Sequence, residues 1–470
     1  MVFFLACLQR SELAPEEIDI PEDTSVEDDT GETGLWVDDR PLEGAWEVEQ
    51  LAVPIRGPED GRDVGNAVVL EDLDQDGTLE LLIADDLHRV QSEGTVDGAV
   101  WILDVPTEEV TITDELPMVY GSRHESRAGS SMVGLGEGRV AIGARYHNPD
   151  LVTIQGAIWI LQGPVTGEVN LDDVAVRFDG LVGDELGTAL AAPGDVTGDG
   201  EADLLAGAPE VDGNGAAWVI PGPFTANASI DDGRAMGFRG EDGEGAAGTT
   251  VAAPGDIDGD GIGDFVIGAP EQGAERPGAV YLVHGGPDLS GLFLADADAV
   301  LRGQYSLDRA GLALDGGDLD DDGYDEVVVG APRYGNTDQG RIYILNGPLE
   351  GEKSLGDAYA RVAGVQDDGH LGASVDVLGD LDQDGRSELI VGAPKHDQTG
   401  EDSGTVYLLY GPLIGEVDPT EEAQILGETA RDELGARVFC PGDLDGDGLP
   451  ELLMSAPEAG DVWLWYGGDQ

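Results

Sequence analysis

Short apolar runs rich in branched residues recur along this chain, and several close on Gly-Ala-Pro: Leu204 to Pro209, Phe265 to Pro270, Val327 to Pro332 and Leu389 to Pro394. Runs this short, bounded by glycine and proline, predict buried strands rather than helices. Beyond each lies a second apolar stretch of the form Gly-x-apolar-aromatic, whose ring is Trp101, Trp159, Trp218, Tyr281, Tyr343, Tyr407 and Trp463 in turn. A ring held at one phase of every unit suits a position where neighbouring sheets pack face to face. A glycine also precedes each unit, at Gly65, Gly129, Gly187, Gly248, Gly311, Gly372 and Gly435.

Between the first and second strand of a unit stands a loop with aspartate at alternate positions, beginning at Asp72, Asp195, Asp256, Asp318, Asp380 and Asp443. The last five begin 61 to 63 residues apart, and the first two are separated by about twice that interval. A seventh unit therefore falls between them. It spans Ala128 to Arg145, where the strands persist but Gly134, Gly136, Glu137 and Gly138 replace the carboxylates. Self-similarity at one fixed period of this length predicts a solenoid or a propeller. Each unit holds an inner strand, the loop, a second and a third strand and, after a Gly-Pro turn such as Asn346 to Pro348, a fourth. Four antiparallel strands repeated about an axis predict an all-β fold, a seven-bladed β-propeller. The last unit has only three strands, and Ala45 to Gly57 reads as a strand without a partner. It is expected to complete the last blade, closing the ring and hiding an edge that would invite aggregation.

The loop from Asp380 shows the chemistry. Asp380, Asp382 and Asp384 stand at every second position, Gly385 permits a sharp turn, and Glu388 adds a carboxylate at position nine. Three or four carboxylates with a backbone carbonyl make a nest of hard oxygens, which suits calcium better than magnesium or zinc. An EF-hand begins similarly but needs a bidentate Glu at position twelve and flanking helices. Here position twelve is Ile83, Ala206, Ile267, Val329, Val391 or Met454, apolar each time and inside a strand. The EF-hand reading fails.

With D-x-D-x-D-G-x-x-[DE] loops and Gly-Ala-Pro turns in phase, the chain from about Ala45 to Gln470 resembles FG-GAP repeats, the units of the integrin α-subunit propeller. The resemblance implies calcium ligands at loop positions one, three, five and nine, with a backbone carbonyl at seven. On this sequence these are Asp72, Asp74, Asp76 and Glu80; Asp195, Thr197, Asp199 and Asp203; and Asp256, Asp258, Asp260 and Asp264. The later loops give Asp318, Asp320, Asp322 and Glu326; Asp380, Asp382, Asp384 and Glu388; and Asp443, Asp445, Asp447 and Glu451. Thr197 replaces a carboxylate and should weaken its site, and Glu at position nine is longer than the family's usual Asp. Up to six calcium ions are thus implied, acting as staples without a signalling or catalytic part.

Composition sharpens the setting. The 23 Lys and Arg against 97 Asp and Glu give a formal charge of −74, which six calcium ions would cancel only in part. Such a surface repels nucleic acid and anionic lipid, and it also fits a solvated, salt-adapted exterior. Two cysteines are too few for a disulfide scaffold. Cys440 sits beside a strand and reads as a small buried residue, whereas Cys7 in MVFFLACLQR resembles the lipidated cysteine of a bacterial lipoprotein signal. The apolar run before Cys7 is shorter than a full secretory core, so it looks truncated. Residues 1–44 are therefore expected to be a truncated signal followed by an acidic, extended linker, and 45–470 the propeller. No stretch reaches the length of a membrane span, so any membrane association is expected only through a lipid on Cys7. The chain is expected to be exported, cell-surface, outer-membrane-anchored or extracellular, and to act as a monomer.

Alternation of the strands puts the aspartate loops on one face. The loops joining second to third strands, with those leading into each blade, fall on the other. There His88, Arg89, Arg123, His124, Arg127, Arg145, Tyr146 and His147 gather on the first two blades. They form a candidate patch for an acidic group of a protein or glycan, with salt bridges to neighbouring Asp and Glu as the alternative. No nucleophile elbow, phosphate loop or metal-type histidine spacing is present, so a binding or adhesion scaffold is expected rather than an enzyme. A lectin or hydrolase-associated propeller is the other reading, by fold analogy.

Overall fold

The computed structural model describes Leu42 and residues 44–58, 63–90, 95–113, 115–121, 125–149 and 153–467. Cys7, the acidic linker as far as Arg40, Arg123 and His124 lie outside the described residues.

Among the described residues seven sheets form the blades, beside one separate two-stranded hairpin, and each blade takes its inner, second and third strands from one repeat, as the periodicity predicts. In the fifth blade Ala313–Gly317, Glu326–Ala331, Arg341–Leu345 and Ala360–Ala363 run antiparallel in that order from the axis outward. Seven apolar clusters hold the blades together, and every one is shared between two neighbours. Tyr343 of the fifth blade packs with Val266 and Val280 of the fourth. Trp101 of the first packs with Leu453 and Val462 of the last, so the ring is closed. Each in-phase aromatic sits in the seam with the preceding blade, the face-to-face packing position expected of it. Burying such a ring removes 150–250 Å² of surface, roughly, from water.

The in-phase glycines allow the blades to approach. Gly248 has φ +84°, and a Cβ there would stand 2.1 Å from the Ala216 carbonyl oxygen of the third blade. Hydroxyls finish several seams: Ser131 Oγ donates to the Gly187 carbonyl at 2.8 Å, Thr250 Oγ1 to Gly311 at 2.5 Å and Ser374 Oγ to Gly435 at 2.8 Å.

Two details differ from the sequence expectation. Six of the seven sheets have five strands, not four. The added strand is parallel and comes from the next blade's connection, as where Gly415–Val417 lies along Ala360–Ala363. An outer strand carries unpaired backbone groups along its rim, and the neighbour's connection pairs with them. The second difference is at the closure, where Ala45 to Gly57 forms two strands around a 3-10 turn at Val48–Gln50. Val53–Arg56 completes the last blade against Asp461–Trp465, as predicted, whereas Ala45–Glu47 lies parallel to Ala423–Leu426 of the sixth. Leu42 adds a clasp, its N–H donating to the Tyr410 hydroxyl at 3.3 Å while that hydroxyl donates to its carbonyl at 3.1 Å.

Inner strands line a channel of about 500 Å³. Asp315 and Asp376 stand at equivalent registers of adjacent strands there, one opposite Val328 and the other opposite Ile390. The Val377 N–H donates to Asp315 Oδ2 at 2.7 Å, and the Cys440 N–H to Asp376 Oδ2 at 2.9 Å, so each carboxyl ties its blade to the next. Cys440 is half-buried rather than the fully buried residue expected: its thiol donates to the Leu378 carbonyl at 3.1 Å, and burial pushes it up to about 12. Burial raises the Asp315 carboxyl to about 6, and burial with the Asp315 charge holds Asp376 well above the ordinary range.

The pair therefore keeps a proton that the unfolded chain releases near pH ~4. Folded-state stability from this pair is complete below that pH and is lost as pH rises through the folded values. Asp376→Asn keeps an acceptor for Cys440 and offers Asp315 a donor. In calcium-saturated thermal scans it is expected to melt above the parent at pH 8, by about 1–2 kcal/mol of stability, with the gap closing towards pH 4. A gap of constant size would exclude the shared proton.

Candidate metal centres

The aspartate loops all connect inner to second strands and share one wiring. Position six is glycine at φ between 87° and 94° in Gly77, Gly200, Gly261, Gly323, Gly385 and Gly448, a conformation that costs other residues more. Its N–H donates to the carboxylate at position one: Gly77 to Asp72, Gly200 to Asp195, Gly261 to Asp256, Gly323 to Asp318, Gly385 to Asp380 and Gly448 to Asp443, at 2.7 to 3.2 Å. The position-five carboxylate accepts from the N–H at position seven in every loop, from Asp76 with Thr78 to Asp447 with Leu449. Backbone donors thus fold several like charges into one turn.

Position nine splits the loops into two kinds. In the second and third loops it is Asp, and both oxygens are used by the backbone: Asp264 accepts from the Ile257 and Gly285 N–H groups, each at 2.9 Å, and Asp203 from those of Thr197 at 3.0 Å and Gly222 at 3.3 Å. Glu is one methylene longer. Glu326 and Glu388 give Oε2 to the N–H of Leu319 and Leu381 at 2.8 and 2.5 Å, and Glu451 does the same for Leu444. Their Oε1 atoms are buried without a hydrogen-bond partner, as are Asp320 Oδ1 and Asp380 Oδ1. Burial, and then the loop aspartates, push Glu326 and Glu388 up to about 8 and Glu451 to about 7. A shielded carboxylate oxygen with no donor is costly, and a divalent cation among these oxygens would satisfy it. The residues present therefore fit a hard cation.

Candidate ligand oxygens lie within 4.8 Å of one another in Asp72, Asp74 and Glu80; in Asp256, Asp258 and Asp260; in Asp318, Asp320 and Glu326; and in Asp443, Asp445, Asp447 and Glu451. Asp76 instead holds Thr78 through both N–H and hydroxyl. In the second loop Thr197 Oγ1 donates to Asp195 at 3.5 Å, and Asp199 holds the Glu201 N–H. In the fifth, Asp382 accepts from the Asp384 N–H and Asp384 from Arg386. Asp322 accepts from Tyr324 in the fourth. The second blade has a two-residue turn at Glu137 and Gly138, both with positive φ. Glu71 of the first blade fills the place beside it, accepting from the Gly136 and Gly138 N–H groups at 3.1 and 3.0 Å.

On the opposite face the residues expected to form a patch divide. Arg127 and Arg145 flank the Tyr146 ring at 5.1 and 5.2 Å and stand 3.7 and 3.6 Å from buried Asp86. Arg89 is exposed on a separate short hairpin. His88 and His147 are buried, edge-on to Trp101 and Trp159 at 4.9 and 5.0 Å, and belong to the core. Their phase marks this: His88, His147 and His396 each stand five residues past the in-phase Ile83, Ile142 and Val391, and His396 likewise meets Tyr407 at 6.1 Å. Periodic histidines were a packing signal.

Five segments match the FG-GAP repeat, at residues 186–220, 247–283, 310–345, 371–409 and 436–465, and these are blades three to seven. Integrin alpha-5 of Xenopus laevis is 29% identical over 215 residues, 43% of this chain and 19% of the relative. Integrin alpha pat-2 of Caenorhabditis briggsae is 31% identical over 229 residues, 45% of this chain and 18% of the relative. Phosphatidylinositol-glycan-specific phospholipase D of Bos taurus is 32% identical over 163 residues, 32% of this chain and 19% of the relative. The aligned stretch is less than a fifth of each relative's length.

Because Glu326, Glu388 and Glu451 hold protons near neutrality without a cation, calcium binding at pH 7 is expected to release them. Calorimetric titration in two buffers of different ionisation enthalpy reads this release. Glu326→Gln with Glu388→Gln should remove most of it, and a buffer-independent heat for the parent would contradict the assignment.

Proposed function

We propose that this FG-GAP propeller is a binding scaffold stapled by calcium at up to six loops and displayed outside the cell, where the face opposite the loops takes a protein or glycan partner. The buried, unpartnered carboxylate oxygens of Glu326, Glu388 and Glu451 carry the calcium part of this reading. Each belongs to a loop joining the two innermost strands of its blade, so a cation there holds the ring's inner wall in register. The likeness to integrin alpha chains supports a binding role in an extracellular setting. Among the described residues no helix is long and apolar enough to cross a membrane, and a lipid on Cys7 would supply an anchor.

The partner surface is the Arg127, Tyr146 and Arg145 stack. Two guanidiniums share one buried Asp86, which leaves donors for a further acidic group in a chain otherwise strongly negative. A glycan-binding or hydrolase-associated propeller is the second reading, supported by the likeness to phosphatidylinositol-glycan-specific phospholipase D.

The chain is tested on glycan and protein arrays in calcium and in excess chelator, beside an Arg145→Glu variant. A partner held in calcium, lost in chelator and weakened by roughly tenfold or more in the variant is expected. Chelation should also lower the melting temperature markedly. A partner indifferent to both treatments, or a melting temperature unmoved by chelator, overturns the proposal.

A further inference from the structure

On the face opposite the aspartate loops, two seams between blades carry a small charge motif in phase with the repeat. Between the fourth and fifth blades Glu271 lies between Arg276 and Arg309, at 2.9 Å from each. Between the sixth and seventh, Lys395 lies between Asp402 and Glu433. One charge flanked by two of the opposite sign closes the seam in both places.

The seam between the fifth and sixth blades breaks this rule. The central residue is Arg333, but it stands 3.8 Å from Asp338, and the second flank is His370 rather than an acid. The side chains converge elsewhere. Candidate ligand atoms of Asp338, Asp368 and His370 all lie within 4.8 Å of one another. His370 Nε2 is shielded from solvent, has no hydrogen-bond partner and faces Asp368 Oδ1 at 3.4 Å. The two loops that bring them together are paired by backbone, Asp368 N–H to the Thr337 carbonyl at 2.6 Å and His370 N–H to that of Asp338 at 3.2 Å. Asp367 braces them from outside, accepting from the Thr337 hydroxyl at 2.7 Å.

We propose that Asp338, Asp368 and His370 form a transition-metal site of one imidazole and two carboxylates, separate from the calcium loops. An imidazole nitrogen favours zinc, cobalt or manganese over calcium, which takes oxygen donors. Burial lowers the His370 pKa, with Asp368 and Asp338 opposing and Arg333 and Lys395 assisting it, and so favours the neutral ring a metal requires. Three protein donors leave a coordination position open, and Asp368 is largely exposed, so a ligand on this face could reach the ion.

The test uses the full chain in millimolar-scale calcium, enough to fill the loops, titrated with zinc by calorimetry and with cobalt by visible absorption. One equivalent that persists in calcium is expected, with a cobalt spectrum of mixed nitrogen and oxygen ligation. His370→Asn tolerates the backbone φ of 55° there and should weaken zinc by at least about tenfold without lowering the melting temperature in calcium. His284→Ala, beside Asp258 in the third aspartate loop, should leave zinc binding unchanged. No zinc retained in calcium, or binding lost with His284 and kept without His370, overturns the site.

Discussion

Apolar contact between neighbouring blades is the constraint on which everything else rests. A single blade is a small twisted sheet whose two faces are both apolar, and alone it could cover neither. Each of the seven clusters draws on two blades, so no blade is buried until both neighbours are in place. Closure through Val53–Arg56 therefore completes the burial of the first and last blades as well as pairing a strand. The parallel fifth strands, the serine and threonine bridges and the Leu42 clasp act on the same seams, turning a stack of sheets into one cooperative ring.

With the seams apolar, charge is displaced to the two faces and the channel. On one face the loop backbone gathers carboxylates so that each position-one Asp caps its own turn, an arrangement stable only if the mutual repulsion is relieved. The Asp-ended loops relieve some of it with backbone donors, whereas Glu326, Glu388 and Glu451, at the ends of three of the four Glu-ended loops, direct an oxygen where no donor reaches. A difference of one methylene thus separates two kinds of site within one repeat. On the other face the same sequence period places charges at the seams, where they balance in some pairs of blades and not in others. In the channel Asp315 and Asp376 show a third outcome, two acids held together by the neighbouring strands' N–H groups.

Some of this was legible because the repeat makes phase an observable. Glycine, aromatic and aspartate positions recur together, so the strands, the loops and the blade without a loop follow from alignment of the chain with itself. The histidines need the same test: His88 and His147 share the loops of the first two blades with the arginines, but their phase with His396 marks a core position. Asp203 and Asp264 could not be told from Glu326 and Glu388 as ligands either, because that depends on which backbone N–H groups lie within reach.

By itself, then, the sequence determined the repeat, its seven-fold count, the strand order within a blade and the positions of the carboxylate turns. These depend on local spacing, and local spacing is written along the chain. The tertiary structure alone decided what crosses between blades: the parallel fifth strands, the split of Ala45 to Gly57 between the sixth and last blades, the Asp315 and Asp376 pair, and the meeting of Asp338, Asp368 and His370. Residues about thirty or sixty positions apart become neighbours only when the ring's curvature brings one blade's loops against the next.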